Sequence, residues 1–222
     1  MEENSVKILS AEPVTHNVKR FRVEKPQGYS FVPGQATEVA IDDPRWREEK
    51  RPFTFTGLNE WPYLEFTIKI YNDHDGVTNE LGKLEAGDRL ILHDVWGAIA
   101  FKGPGTFLAG GAGITPFIAI FRDLHTQKGL EGSKLYFSNR TDRDIILKEE
   151  LEEYFGNDFH NVITGDKNTL YEHGYINSEY IRNHIRDLSQ HFYICGPDAF
   201  VQDISGILEE AGANTDALVF EK

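Results

Sequence analysis

The sequence predicts two domains, an N-terminal antiparallel β-barrel or sandwich in residues 1–102 and a C-terminal α/β domain in residues 103–222. Short apolar runs separated by Gly and Pro fill the first half, which is typical of antiparallel sheets. After the turn-rich joint Gly103-Pro104-Gly105, apolar runs alternate with amphipathic stretches. This alternation is typical of βαβ units, so the second half is predicted to contain a parallel sheet.

The first half reads as six strands and one short helix. Residues 63–71 alternate strictly, so that their apolar side chains share one face of a strand. Residues 51–57 alternate in the same way, with Phe53 and Phe55 on one face and Thr54 and Thr56 on the other. The predicted strands are residues 6–10, 18–23, 36–41, 51–57, 63–71 and 89–95, and the predicted helix is residues 77–84.

The second half reads as five strands separated by helices. Strands are predicted at residues 106–109, 134–138, 161–164, 191–195 and 217–220, and helices near 115–127, 145–155, 178–188 and 198–211. Ligands bind open parallel sheets at the carboxyl ends of the strands. Two turns meet this rule, residues 110–115 after the first strand and Cys195-Gly196-Pro197 after the fourth.

The stretch FLAGGAGITP at residues 107–116 is the strongest candidate for a binding site. Gly110, Gly111 and Gly113 allow a tight turn and a close approach of the backbone to a ligand. Thr115 and Pro116 then open a helix, in whose first turn proline is tolerated. Since a helix N-terminus attracts phosphate, this turn is predicted to hold a pyrophosphate.

A second group of residues, in the first half, fits a flavin nucleotide. Arg51, Phe53 and Thr54 place a cation, an aromatic ring and a hydroxyl on one strand. Gly76 precedes the short helix, where backbone N–H groups are suited to phosphate, and Arg51 is suited to neutralising that phosphate. Each residue alone also has an ordinary structural explanation, as a surface charge, a core side chain or a cap.

Composition excludes several classes of function. The net charge is −13, and both halves are acidic, which argues against nucleic acid as a partner. Cys195 is the single cysteine, so the chain alone forms neither a disulfide nor a four-thiolate iron–sulfur cluster. The eight histidines lack metal-ligand spacing, and no metal is expected. The N-terminus has no secretory pattern and no apolar run is long enough to span a membrane, so a cytoplasmic location is expected.

Motifs along the chain occur in a characteristic order. They are RPFT at 51–54, GVT at 76–78, GGAGITP at 110–116 and CGP at 195–197, with FVPGQ at 31–35 as a barrel turn. With these motifs the chain resembles the ferredoxin–NADP reductase family over nearly its whole length. RPFT matches the family pattern R-x-[YF]-[ST]. The resemblance implies a flavin-binding barrel followed by a nicotinamide-binding α/β domain.

The resemblance also implies roles for matching residues. Thr54 would hydrogen-bond near the flavin N5, Cys195 would lie beside the nicotinamide, and Glu221 would approach the flavin; these three are the expected catalytic residues. The expected cofactor-binding residues are Arg51, Pro52, Phe53, Thr54, Ile68, Lys69, Ile70, Gly76, Val77, Thr78, Gly111, Gly113, Thr115, Arg140, Gly196 and Pro197. Thr54 is expected to face Cys195, since hydride transfer needs reacting atoms about 3–3.5 Å apart.

Two features of the chain depart from the family pattern or leave it open. Many members place an aromatic residue over the flavin near the C-terminus, whereas Phe220 falls in the last predicted strand and is expected in the core. An acidic residue at the end of the second strand would favour NAD, but Arg140 and Arg143 follow that strand and are suited to a 2′-phosphate. NADPH is therefore slightly favoured over NADH, although Asp142 and Asp144 reduce the local positive charge.

The resemblance implies a flavin-dependent NAD(P)H reductase. It would hold FAD, with FMN as the less favoured alternative, and pass electrons to a separate carrier such as ferredoxin or flavodoxin. Two other hypotheses remain open: an NAD(P)H-dependent reductase of free flavin, and a non-catalytic electron-transfer subunit. The intact GGAGITP and CGP motifs argue against the last, because a subunit that binds no nicotinamide would not need them.

Overall fold

The computed structural model describes residues 3–72, 75–97, 99–214 and 218–220. Its contacts divide the chain into two units. Unit 1 consists of Met1–Ala98 and Thr115–Asp123, and unit 2 of Ile99–Ile114 and Leu124–Lys222. The predicted fold class is confirmed, with an antiparallel sheet in unit 1 and a parallel sheet in unit 2. Residues 115–123 pack in unit 1, although they follow the first strand of unit 2 in sequence.

Unit 1 is built on a six-stranded antiparallel sheet with the strand order β4-β3-β6-β1-β2-β5. β4 and β5 are thus the two end strands of this order. They contact each other near their connection, where the Thr56 N–H donates to the Glu65 carbonyl over 2.8 Å. The elements are β1 (Asn4–Thr15), β2 (Val18–Glu24), β3 (Ala36–Ile41), β4 (Arg51–Thr54), β5 (Tyr63–Lys69), α1 (Val77–Lys83) and β6 (Arg89–Trp96).

The core of unit 1 is aromatic and aliphatic. Phe55 lies between Phe31 and Phe66, with ring centroids 4.1 and 5.1 Å away. The four apolar residues predicted on one face of β5 and its continuation are all buried in this core: Leu64, Phe66, Ile68 and Ile70. The opposite face of β5 is also buried, because Glu65 and Thr67 are shielded from solvent. The burial of Glu65 is unexpected, because burying a carboxylate costs free energy unless the charge is paired.

Unit 2 is built on a six-stranded, wholly parallel sheet with the order β10-β9-β8-β7-β11-β12. Tyr136, Phe192 and Ile194 are buried in its core together with Ile204 and Leu208 of the last helix. The elements are β7 (Gly105–Gly110), α2 (Thr115–Thr126, whose first nine residues pack in unit 1), β8 (Lys134–Asn139), α3 (Lys148–Phe155), β9 (Phe159–Ile163), β10 (Glu172–His173), α4 (Ser178–His184), β11 (His191–Cys195), α5 (Asp198–Ala211) and β12 (Leu218–Phe220).

Three elements of unit 2 differ from the sequence prediction. α3 begins at Lys148 rather than near residue 145, because Leu147 adopts a left-handed conformation with φ 51° and breaks the helix there. α4 ends at His184, four residues before the predicted end. β10 was not predicted, since its two residues are exposed and carry no apolar pattern.

α2 is buried on nearly every side. Residues 117–121 are all almost fully buried, and Arg122 after them is buried as well. A helix that is apolar all round belongs in a protein interior. No helix in the described ranges is long and apolar enough to cross a membrane, and these ranges contain no cluster of side chains suited to a metal ion.

Candidate functional site

Two turns lie side by side at the carboxyl edge of the parallel sheet in unit 2. β7 and β11 are neighbouring strands, and their register places Ala109 opposite Cys195. A short 3-10 turn, Gly111–Ile114, follows β7 and leads directly into α2. Gly196 and Pro197 follow β11 and lead into α5. The structure therefore brings together the two turns that the strand-end rule selected from the sequence.

Glycine is needed in these turns mainly because the two backbones pack tightly. A Cβ on Gly113 would lie 2.4 Å from the Cys195 carbonyl oxygen and 2.5 Å from the Cα of Gly196. A Cβ on Gly196 would lie 2.9 Å from the Phe200 ring. Real Cβ atoms do not approach other atoms this closely, so glycine at positions 113 and 196 allows the two turns to pack against each other.

Gly111 differs from the other glycines of this turn. Its φ is +52°, which favours glycine, and a Cβ built there meets no atom within 4 Å. The backbone at Gly111 therefore borders open space. The positive end of the α2 dipole lies nearby at Thr115, a half-buried residue. This combination of open space and a helix start is suited to a phosphate group.

Two cavities in unit 2 adjoin these turns. One, of about 240 Å³, is lined by Cys195, Gly196 and Asp198 among others, so the mostly buried Cys195 borders a cavity. The other, of about 510 Å³, reaches from Ser138 in β8 to Phe200 in α5. Neither Ser138 nor Phe200 was identified from the sequence, because no local motif marks either as a cavity residue.

The residues after β8 show which charges are available at this edge. Arg140 is exposed directly after the strand, and its carbonyl accepts from the Gly165 N–H over 2.8 Å. Asp144 accepts from the N–H and hydroxyl of Thr141, at 2.9 and 2.7 Å. Asp142 accepts from the Thr169 hydroxyl. Both carboxylates are therefore engaged in local hydrogen bonds, whereas the Arg140 side chain faces solvent.

In unit 1 the predicted flavin residues lie on the two end strands of the sheet. On β4, Arg51 and Pro52 are exposed, Phe53 is half-buried against the core, and Thr54 is buried. The Arg51 guanidinium donates to the Lys50 carbonyl over 2.7 Å and lies 3.4 Å from a Glu49 carboxylate oxygen. This ion pair is exposed on both sides, so it is weak and easily exchanged for another anion.

On β5 the predicted residues divide between core and surface. The side chains of Ile68 and Ile70 are in the core, so a ligand there would meet their backbone. Lys69 points away from the core, with its ammonium 5.5 Å from the centroid of the Tyr71 ring. β5 pairs with β2 and is the last strand of the order.

The third flavin element predicted in unit 1 is the start of α1. Gly76 is the N-cap residue, and a Cβ built on it would meet nothing within 4 Å. Val77 is buried in the core, whereas Thr78 is half-buried. The Val77 side chain is thus structural, and a ligand at this helix start would contact backbone N–H groups and Thr78. Glu221, the third expected catalytic residue, lies outside the described residues, and of Phe220 only the backbone, in β12, is described.

Comparison with known proteins finds similarity to oxidoreductases. Residues 107–206 match the family model described as the oxidoreductase NAD-binding domain. The chain is 28% identical to NADH-cytochrome b5 reductase 2-A of Vanderwaltozyma polyspora, covering 90% of this chain and 73% of that protein. It is 24% identical to the reductase component of propane 2-monooxygenase from Rhodococcus jostii, covering 100% of this chain and 64% of that protein.

The fold is shared with solved reductases. A ferredoxin NADP⁺ reductase from Neisseria gonorrhoeae, solved with bound FAD and NADP, superposes with a TM-score of 0.84. The match covers 100% of this chain and 98% of that chain at 20% sequence identity. A likeness at this level of identity establishes the shared two-domain fold.

The close contact between the two turns predicts the effect of a single methyl group. Gly113→Ala should weaken nicotinamide nucleotide binding and lower the melting temperature, because its Cβ would collide with the backbone at Cys195 and Gly196. Gly129→Ala is the control, since Gly129 lines neither cavity and a Cβ there first meets the end of the Leu124 side chain at 3.3 Å. Isothermal titration with NADP⁺ and NAD⁺ and thermal unfolding measure both effects. Equal nucleotide affinity in Gly113→Ala and the parent would contradict this assignment.

Proposed function

We propose a specific reaction from two findings: residues 107–206 match the family model described as the oxidoreductase NAD-binding domain, and the chain shares its fold with a solved ferredoxin NADP⁺ reductase. The protein oxidises NADPH or NADH through a bound flavin and passes the electrons to a separate acceptor. The observation that carries this proposal is the contact between the Gly111–Ile114 turn and the Cys195-Gly196 backbone, beside a cavity that Cys195 lines.

The nicotinamide nucleotide is assigned to the carboxyl edge of unit 2. Gly111 and Thr115 offer an open, positively polarised turn for the pyrophosphate. The cavity of about 510 Å³ between Ser138 and Phe200 is large enough for one end of the nucleotide. Cys195 and Gly196 border the second cavity, to which we assign the nicotinamide ring.

The residues of unit 1 fit a flavin nucleotide. Arg51 is an exposed cation on β4, and Phe53 on the same strand has a ring that is only half-buried. Gly76 leaves open space at the start of α1. We propose FAD rather than FMN, because the similar Neisseria gonorrhoeae reductase was solved with FAD. A bound flavin would supply the hydride acceptor and the means of releasing electrons one at a time.

The remaining chemistry belongs to this chain's own residues. Arg51 and the N–H groups at the start of α1 neutralise phosphate charge. We assign to the Thr54 hydroxyl, on a buried side chain at the end of β4, a hydrogen bond to the flavin edge. Cys195 fills the space beside the nicotinamide with a small, soft side chain that admits close approach.

NADPH is the proposed preferred donor. Arg140 is exposed to solvent directly after β8, whereas Asp142 and Asp144 accept hydrogen bonds from Thr169 and Thr141. An arginine after the second strand is suited to a 2′-phosphate. Comparing kcat/KM for NADPH and NADH in the parent and in Arg140→Ala tests this choice. A preference for NADH that Arg140→Ala does not alter would contradict it.

The acceptor is proposed to be a separate redox protein, such as ferredoxin, flavodoxin or a cytochrome. The relatives are named as a cytochrome b5 reductase and as the reductase component of a monooxygenase. A reductase of free flavin is the second candidate function, supported by the exposed position of Arg51 and its weak ion pair. Turnover with a protein carrier, compared with turnover of added FMN or riboflavin, separates the two, since a free-flavin reductase would favour the added flavin.

Arg51→Ala should weaken flavin retention. The substitution removes a charge-assisted hydrogen bond worth about 1.5–3 kcal/mol, which corresponds to a loss of roughly tenfold or more in affinity. Arg45→Ala is the control, because Arg45 is exposed and pairs with Asp43 in the loop before β4. The flavin-to-protein ratio after gel filtration measures the effect, and equal occupancy in Arg51→Ala and the parent would remove Arg51 from the site.

Cys195→Ala should slow hydride transfer while leaving the bound flavin unchanged. The side chain borders a cavity beside the proposed nicotinamide position, and alanine leaves a small gap that loosens this position. Stopped-flow absorbance under anaerobic conditions measures flavin reduction in the parent and the variant. If both are reduced at the same rate, Cys195 is only a packing residue at the end of β11.

A further inference from the structure

Unit 1 contains a buried carboxylate that the proposed function does not use. Glu65 lies in β5 and is fully buried, between Leu64 and Phe66, which belong to the apolar core. One carboxylate oxygen lies 2.6 Å from the Arg122 guanidinium and the other lies 3.1 Å from the Arg22 guanidinium. Glu65 is therefore a fully paired charge in the interior of unit 1.

Arg122 connects this carboxylate to the segment that follows Thr54. Its guanidinium also donates to the Thr56 carbonyl over 2.8 Å. The Thr56 hydroxyl in turn donates to the Glu65 carboxylate over 3.2 Å and lies 3.2 Å from the Thr67 hydroxyl. The Trp61 ring covers the guanidinium at 5.3 Å from its centroid. The network thus joins α2, β5 and the chain just after β4.

The two ends of this network lie on the segments of unit 1 that carry Thr54 and Thr115, which are assigned to the flavin and to the nucleotide pyrophosphate. Thr56 is two residues after Thr54, the proposed flavin contact. Arg122 is seven residues after Thr115, about 10 Å along the helix that runs out of the Gly111–Ile114 turn. A rigid link between Arg122 and Thr56 therefore limits how far the start of α2 can shift against the end of β4 within unit 1.

Stability alone does not explain this arrangement. Two buried charges lose their hydration, and well-packed apolar residues of similar volume are often as stabilising as a buried ion pair. A salt bridge does, however, fix geometry, because the arginine fork accepts only a narrow range of orientations. The pair is therefore better suited to positioning than to stabilising α2.

We propose that Glu65 and Arg122 are positioning residues for hydride transfer. The pair holds the start of α2, where Thr115 is assigned to the nucleotide pyrophosphate, and the Thr54–Thr56 segment in fixed register within unit 1. This inference rests on the proposed function. It assigns neither residue a direct contact with substrate or flavin.

Arg22 provides a matched control on the same carboxylate. It approaches Glu65 from β2, is partly exposed, and has the Tyr63 ring 5.2 Å from its guanidinium carbon. Arg22→Met should weaken the charge pairing of Glu65 without removing the hydrogen bond that Arg122 donates to the Thr56 carbonyl. Arg122→Met removes both the charge and that hydrogen bond, and Arg122→Lys keeps the charge but loses the fork.

The experiment measures flavin reduction by NADPH and NADH in flavin-loaded protein. Arg122→Met should reduce flavin more slowly by on the order of tenfold to a hundredfold, because a small displacement of reacting groups is costly. Arg122→Lys should fall between Arg122→Met and the parent, and Arg22→Met should react at nearly the parental rate. The flavin-to-protein ratio should be equal in all four proteins. A parental rate in Arg122→Met would overturn the proposal.

A double variant separates positioning from stability. Glu65→Leu combined with Arg122→Met removes both charges and should recover the melting temperature lost in Arg122→Met. It should nevertheless remain slow in flavin reduction. If the rate recovers together with the melting temperature, the pair is purely structural and the proposal fails. The double variant also carries the test if Arg122→Met does not fold.

A readout that needs no turnover completes the design. Hydrogen exchange of the α2 amides, measured on flavin-loaded protein without a nucleotide donor, should be faster in Arg122→Met and in the double variant than in the parent and Arg22→Met. Unchanged exchange in both variants would overturn the proposal. Failure of the proposed function is distinct, since the flavin of the parent itself would then not be reduced by either nucleotide.

Discussion

The parallel pairing of β7 and β11 is the constraint on which the proposed nicotinamide site depends. It places Ala109 opposite Cys195, so the turns after both strands emerge together at one edge of the sheet. Gly113 and Gly196 let these turns touch, since either Cβ would collide with the other turn or with Phe200. Gly111 is then left with open space and a positive φ. The pairing of β7 with β11 thus brings the two turns into contact and leaves the Gly111 backbone beside open space.

The glycine-rich turn shows how packing and binding divide a single motif. From the sequence, all three glycines suggest a close approach of the backbone to a ligand. In the structure, a Cβ on Gly113 would collide with backbone and one on Gly110 would lie 3.2 Å from Phe200 and Pro197, whereas Gly111 borders open space. A motif of this kind therefore specifies packing at least as much as ligand binding. The proposed function depends also on the turn that follows β11.

Local signals in the sequence predicted most of the fold and the proposed site. β3 and β11 have the predicted bounds, because apolar runs and flanking Gly or Pro mark their ends. β10 carries no such signal, since it is a strand only through pairing with β9. Glu65 shows the same limit, because its partner Arg122 is 57 residues away in sequence and no local pattern links the two. Long-range polar contacts of this kind can therefore be found from the structure but not from local sequence patterns.

The absorption spectrum of the purified protein, before and after anaerobic addition of NADPH and separately of NADH, tests the central claim most directly. We expect the visible bands of an oxidised flavin, bleached by at least one of the two donors. Flavin bands unchanged by both donors would contradict the proposed role of the turns after β7 and β11. A colourless protein that also fails to bind added FAD or FMN would contradict the assignment of unit 1 as a flavin domain.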